Sequence, residues 1–158
     1  MASEAVTSVV AANLLPPTDR DFLLIATTLY STQIDAAKLA KRNTDDEDVN
    51  LFARRMTTDF VRLFLKMKAI APRSVIVPRD NSHNRLLQQL LPLSGPKFDH
   101  TYVTHFGLRL PGHSIAAFNK EVTEGEEPSL QKAAQNALHT LLKHQSMGEE
   151  LARKKSIT

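Results

Sequence analysis

The sequence contains no cysteine and no tryptophan, and only 6% of its 158 residues are aromatic. The absence of cysteine excludes disulfides, thiolate metal ligands and a cysteine nucleophile, although such a chain suits the cytosol and the periplasm equally. Because aromatic residues are few, a core must be built mainly from aliphatic side chains and methionine, which favours packed helices over a β-sandwich. No apolar run approaches the roughly 20 residues that a membrane-spanning helix needs, so we expect no transmembrane segment.

The formal net charge of +3 is only mildly basic. Lysine and arginine are concentrated where helices are predicted to end, and acidic residues where they are predicted to start, which is the placement that helix dipoles favour. The basic residues are not interleaved with aromatic residues in any known nucleic-acid motif. We therefore predict no nucleic-acid partner.

Apolar residues recur at three- and four-residue steps along four long segments, the period of one helix face. The first helix is predicted from Thr18 to about Arg42, with Phe22, Ile25, Leu29, Gln33 and Ala36 on its inner face. The second opens in the acidic run 45–48 and ends before Pro72. The third is signalled from Phe98 to Val122, and the fourth starts after Gly125 and reaches about Leu151. The pattern predicts an all-α fold, a four-helix bundle.

Two irregular regions are predicted between and within these helices. Residues 72–79 contain Pro72 and Pro78, with three β-branched residues between them, and are expected to form a crossing loop that buries Val75 and Val77. A short extra helix through Leu86 to Leu91, capped by Asp80 or Asn81, follows in the same connection. Pro111-Gly112 interrupts the third helix, and we predict a kink, a bulge or a break there.

The predicted organisation is a flexible N-terminal lead-in over residues 1–17, a bundle domain over 18–152 and a C-terminal tail over 153–158. The lead-in has small and apolar residues but carries Glu4 where a signal peptide has a basic region, so it is a poor signal peptide.

Residues for metal chemistry are present, but their spacing is wrong for a di-iron bundle. Such bundles use Glu-x-x-His pairs on two helices, and this chain has none. Its one Asp-x-x-His, Asp80 to His83, lies at the start of the short extra helix, where Asp80 is better explained as a cap. Phosphate-loop, nucleophile-elbow and zincin motifs are also missing. Asp59 lies on the flank of the second apolar stripe, whereas His105 and His144 lie within stripes. Two interpretations stay open for these three residues: hydrogen-bonded structural groups, or metal ligands that converge from different helices.

Several segments of the sequence resemble the ferritin-like bacterial family of domain of unknown function 4142, over about residues 19–151. The most specific are FARRM followed by Asp59, SGPKFD-x-x-Y at the start of the third helix, and a Leu-x-x-Leu-x-x-His pattern that ends at His144. The resemblance implies a ferritin-like four-helix bundle, often exported to the periplasm or cell envelope, without an established activity.

This chain departs from the family pattern at the polar positions best suited to bind a metal. Family members commonly carry a histidine where this chain has Phe60, a glutamate near Gln33, and an Asp-His pair where it has Leu110-Pro111-Gly112 and one apparent extra residue. The departures imply that any family metal site is lost here. We predict no cofactor and a structural role for Asp59, paired with Arg55 or Arg62.

The leading functional prediction is a non-enzymatic bundle that acts as a binding or structural subunit, with a protein partner or a second copy. Arg109 and His113, beside the interruption in the third helix, are the candidate partner-binding residues. The alternative is a metal-binding or redox-related bundle that uses Asp59, His105 and His144.

Overall fold

The computed structural model describes residues 15–71 and 81–157, apart from the side chains of residues 81–84. Every regular element in these ranges is helical: α1 (Pro17–Asn43), α2 (Glu47–Ile70), α3 (Asn81–Leu90), α4 (Gly95–Tyr102), a π-helical segment (Val103–Arg109), α5 (Leu110–Glu124) and α6 (Pro128–Lys154). The predicted all-helical class is confirmed. The loop predicted to bury Val75 and Val77, and residues 1–14 of the lead-in, lie outside the described residues.

Local sequence signals explain where the long helices begin and end. The carboxylate of Asp46 accepts the N–H of Val49 at 3.0 Å and so caps α2, as short polar side chains do at this position. The helix ends at Ile70, close to Pro72, because the residue before a proline avoids the helical region. Pro17 and Pro128 start their helices, where a missing N–H costs nothing.

The long helices pack into one helical bundle. Helix α1 contacts α2 and α5, and α6 contacts α2, α5 and the π segment, whereas α3 lies against α1 and α4. The interior is aliphatic with rows of aromatic rings, including Phe98, Tyr102 and Phe106 stacked along the third long helix. The predicted inner face of α1 is wrong at Ile25, which is 41% exposed because Ala26 and Leu29 take the inward positions.

The irregularity in the third long helix lies upstream of the proline. The chain neither breaks nor stops at Leu110–Gly112; it forms a π segment over Val103–Arg109 and continues as α5, with Pro111 in its first turn. The N–H of Leu110 donates to the carbonyl of His105, five residues back. Pro111 has no N–H to continue the pattern, so the wider π turn precedes it.

The residues after α6 fold back onto the start of α2. Lys155 Nζ lies 2.7 Å from Asp46 Oδ2 and 2.8 Å from Asp48 Oδ2, and Ile157 is only 9% exposed. These contacts fasten the C-terminal end of the described chain to the turn between α1 and α2. Within the described ranges, no helix has the length and apolarity to cross a membrane.

Candidate functional site

A carboxylate and an imidazole meet inside the bundle, between α2 and α6. His144 Nε2 lies 2.8 Å from Asp59 Oδ2, and Arg55 Nε donates to the same oxygen at 2.8 Å from one turn away. His144 is fully buried and Asp59 is 6% exposed, whereas the Arg55 side chain is 46% exposed. The predicted pair of Asp59 with Arg55 is therefore present, but Asp59 is a buried bridge between helices and not a solvated flank.

The charges of the pair follow from its surroundings. Burial lowers the pKa of His144, and it outweighs the opposite effect of Asp59. Burial alone would raise the pKa of Asp59, but hydrogen bonds from His144 and Arg55 lower it overall. Near neutral pH, a neutral imidazole therefore donates Nε2–H to an ionised carboxylate. In this tautomer Nδ1 carries a lone pair, and it has no hydrogen-bond partner among the described residues.

Aromatic rings pack beside the imidazole, beginning with Phe60. The ring of Phe60 lies 5.0 Å from that of His144, and the ring of Tyr30 lies 5.8 Å from Phe60. Both Phe60 and Tyr30 are almost completely buried. These rings make the surroundings of His144 apolar, which is the physical reason that the neutral imidazole is favoured.

Gln33 supports the π segment from the facing helix. Its Nε2 donates to the carbonyl of Phe106 at 3.0 Å, five residues before Pro111, which has no N–H to give that carbonyl. Gln33 is completely buried, and its Oε1 has no partner among the described side chains and backbone. The polar residue predicted in the α1 stripe thus compensates for a proline on another helix.

The remaining sequence candidates lie apart from Asp59 and His144. His105 is only partly buried, on the π segment, and burial followed by the charges of Arg109 and His100 lowers its pKa. Arg109, the last residue of the π segment, and His113, in the first turn of α5, are exposed and lie about one turn apart. No cluster of three or more histidine, aspartate or glutamate residues suited to a metal ion occurs in the described part of the chain.

A second buried polar pair was not found from the sequence. Asp19 at the start of α1 and Glu121 at the end of α5 are both completely buried. A signal for each was present, because Asp19 precedes Phe22 by three residues and Glu121 follows Phe118 by three. Residues three apart share a helix face, so each acid faces the core beside a phenylalanine.

The fold and these contacts define a class of protein: an all-helical bundle whose long helices are joined by buried polar side chains. The chain belongs to the family described as domain of unknown function (DUF4142), whose family model matches residues 4–151. None of the curated proteins matches it.

A similar solved structure is described as a putative secreted protein DUF305 from Streptomyces coelicolor. The two chains are 12% identical, with a TM-score of 0.73 over 89% of this chain and 94% of that one. At this identity the likeness shows a shared helical fold alone.

Proposed function

We propose that this chain is a non-enzymatic helical bundle that acts as a binding or structural subunit, without a di-iron centre. Its buried polar side chains support this proposal because they fasten helices to each other. Asp59 and His144 join α2 to α6, Gln33 joins α1 to the π segment, and Asp19 joins α1 to the turn before α6.

The proposal includes a ferritin-like four-helix arrangement, located in the periplasm or cell envelope. The contacts of α1 with α2 and α5, and of α6 with the same two helices, support a ring of four long helical rods. Likeness to a protein described as putatively secreted supports the location. Fractionation of cells that express the tagged full-length protein tests it, and recovery in the cytosolic fraction alone would exclude it.

We propose that the outward face of α2 is the binding surface, and this face is the main support for a binding function. Leu51, Val61 and Leu65 on this face are 53%, 37% and 60% exposed. Leu51 and Leu65 are fourteen residues apart, two heptads along the helix, and therefore lie in line. Exposed basic side chains border them, namely Arg54, Arg55, Arg62, Lys66 and Lys68. The only acidic residue between Val49 and Ile70 is the buried Asp59.

This combination fits an acidic amphipathic helix of a partner protein. Heptad spacing suits the side chains of a second helix, and an acidic partner would neutralise the basic border. A second copy of α2 would instead bring basic residues against basic residues, which is unfavourable. We therefore propose a partner with leucine-type residues at heptad spacing, flanked by glutamate or aspartate.

Binding to a synthetic probe tests this surface. The probe is a fluorescent acidic peptide with leucine in heptads and glutamate at the flanks, and fluorescence anisotropy with the full chain measures Kd. The double variant Leu51→Ser/Leu65→Ser is expected to raise Kd about tenfold, a loss of about 1.4 kcal/mol. Leu142→Ser is the matched control because Leu142 is 50% exposed on α6.

Two results would exclude the α2 surface. One is equal binding of a permuted peptide with the same composition; the other is unchanged Kd in the double leucine variant.

Loss of binding in Arg109→Ala/His113→Ala instead would move the site to the start of α5, the surface that the sequence favours. Self-association in analytical ultracentrifugation that the leucine variant abolishes would identify a second copy as the partner.

A metal-binding or redox role is the second candidate function. The observation that favours it is the buried Nδ1 of His144, which has no described partner and belongs to a ring already oriented by Asp59, as ligand histidines commonly are. His105 lies away from this pair, so the proposed set of three reduces to Asp59 and His144.

Elemental analysis of protein purified without chelators separates the two functions. The leading proposal predicts iron and zinc at background in the wild type, in His144→Ala and in the control His139→Ala, which changes an exposed histidine of the same helix. Metal near one equivalent per chain that is lost only in His144→Ala would overturn the leading proposal and establish a site inside the bundle.

A further inference from the structure

Two buried acids meet where the first helix begins and the last helix is about to begin. Asp19 Oδ1 accepts the N–H of Glu126 at 3.2 Å and that of Glu127 at 3.1 Å, and its Oδ2 lies 3.1 Å from the Glu126 nitrogen. Through these bonds Asp19 caps the N-terminus of α6 from another helix, where a negative charge is favoured by the helix dipole. These contacts therefore favour the ionised form of Asp19.

The surroundings of Glu121 instead disfavour its ionised form. Both of its carboxyl oxygens are buried, and no donor from the described residues reaches either of them. Burial and the neighbouring carboxyl of Asp19 raise its pKa. Two ionised carboxylates have no donor between them, so a hydrogen bond between the two requires a proton, and that proton belongs on Glu121 because Asp19 already accepts backbone N–H groups.

Among residues 15–71 and 81–157, no cationic group acts on Glu121. From α1 it faces the charge of Asp19, and in the described part of the chain no other charged group contributes to its titration. From α6 the neutral amide of Gln131 donates to the carbonyls of Val122 and Gly125 instead. Burial and the Asp19 charge raise the pKa of Glu121 to about 8. The pKa of Asp19 is lowered, since its hydrogen bonds from Glu121 and the backbone exceed the effect of burial.

We propose that Asp19 and Glu121 form a proton-binding latch, which ties the start of α1 to the α5–α6 turn and opens when the shared proton is lost. Loss of the proton leaves two negative charges in one buried site, and they repel each other. The adjacent residues on the same faces, Phe22 and Phe118, make an edge contact with ring centroids 4.9 Å apart. Opening of the latch would loosen this end of the core.

A proton fits the site better than a metal ion. Asp19 already uses its oxygens to cap α6, and the described residues provide no third histidine or acid. Gly125 lies so close that a Cβ there would overlap the carboxyl of Glu121. The site is therefore small as well as poor in ligands.

Hydrogen exchange of the Glu126 and Glu127 amides tests the latch in the full chain. Protection factors, corrected for intrinsic exchange, are measured from pH 6 to pH 9. In the wild type they are expected to fall about tenfold by pH 9, one unit above the pKa, because opening is then coupled to loss of one proton. Glu121→Gln retains a donor for Asp19 but cannot ionise, so its protection should stay constant.

The control is Glu124→Gln, which removes an exposed acid from the same helix and should behave as the wild type. Constant protection in the wild type, or an equal fall in Glu121→Gln, would overturn the proposal. Restored protection at pH 9 on addition of 1 mM Ca²⁺ or Mg²⁺ would overturn it in favour of a metal site. Carboxyl carbon NMR of the wild type gives an independent reading, since titration of Glu121 near the ordinary glutamate value would exclude a shared proton.

Discussion

Replacement of Gly148 by alanine is expected to destabilise the protein by about 3 kcal/mol, because it forces two helices apart. A Cβ at Gly148 would lie 2.2 Å from the carbonyl oxygen of Gly107 and 2.9 Å from its carbonyl carbon. Both atoms belong to backbone, so no side chain can rotate away. For a chain of this length the change corresponds to a fall in Tm of roughly 6–12 °C.

Gly112→Ala is the matched control for this prediction. It makes the same chemical change in another helix, but the nearest atom to a Cβ at Gly112 is Gln145 Nε2 at 3.8 Å. Alanine has the higher helix propensity, so Gly112→Ala should leave stability unchanged or raise it by up to about 1 kcal/mol. Thermal and urea unfolding measure both variants. Equal Tm values for Gly148→Ala and the wild type would show that α6 and the π segment do not pack this closely.

Replacement of Asp59 by alanine is expected to cost about 2–3 kcal/mol, because it leaves the buried Nε2–H of His144 without an acceptor. The matched variant Arg55→Ala removes the other partner of the same carboxylate. The Arg55 side chain is 46% exposed, so its loss should cost less than about 1 kcal/mol. Urea unfolding at pH 7 compares the two. Equal losses would show that the bridge between α2 and α6 contributes nothing beyond an exposed ion pair.

The same pair predicts how stability depends on acid. The pKa of His144 is lowered in the folded state, so below about pH 6.5 the unfolded chain binds a proton that the folded chain does not. Stability should therefore fall on acidification from pH 7 to pH 5, by up to about 1.4 kcal/mol per pH unit from this residue.

His144→Gln keeps an amide donor for Asp59 but cannot titrate, so its free energy of unfolding should fall less steeply between pH 7 and pH 5. Urea unfolding at pH 7, 6 and 5 measures both slopes. Identical slopes in the variant and the wild type would show that the pKa of His144 is the same in the folded and unfolded states.

Helix positions could be predicted from the sequence because periodicity, prolines and acidic starts are local signals. The end of α2 before Pro72 and the start of α6 at Pro128 depend only on the chemistry of adjacent residues. The inner face of α1 was less predictable, because Ala26 faces the core although Ile25 is more hydrophobic. Which of two adjacent apolar residues faces inward is decided by the neighbouring helices, and a periodic pattern does not contain that information.

The sequence indicates which residues belong to the candidate site, but not that they are in contact. The sequence points to Asp59 and His144 as candidates, but their contact depends on the relative positions of α2 and α6 along their axes. His105 continues an apolar stripe in the sequence, but the π segment changes the helical period there. Nothing local distinguishes Glu121, because a glutamate in the last turn of a helix is usually a surface residue.

The π segment also constrains how this gene can change in length. A π turn holds about one residue more than an α turn, so Val103–Arg109 accommodates an extra residue that a regular helix would not. Because the wider turn absorbs the extra residue, a one-residue deletion there that restores α-helical geometry would leave Phe118 and Glu121 on the inner face. A deletion within α5 itself would instead rotate the residues that follow it by about 100°, so the π segment is the place in this helix where a change of one residue is least disruptive.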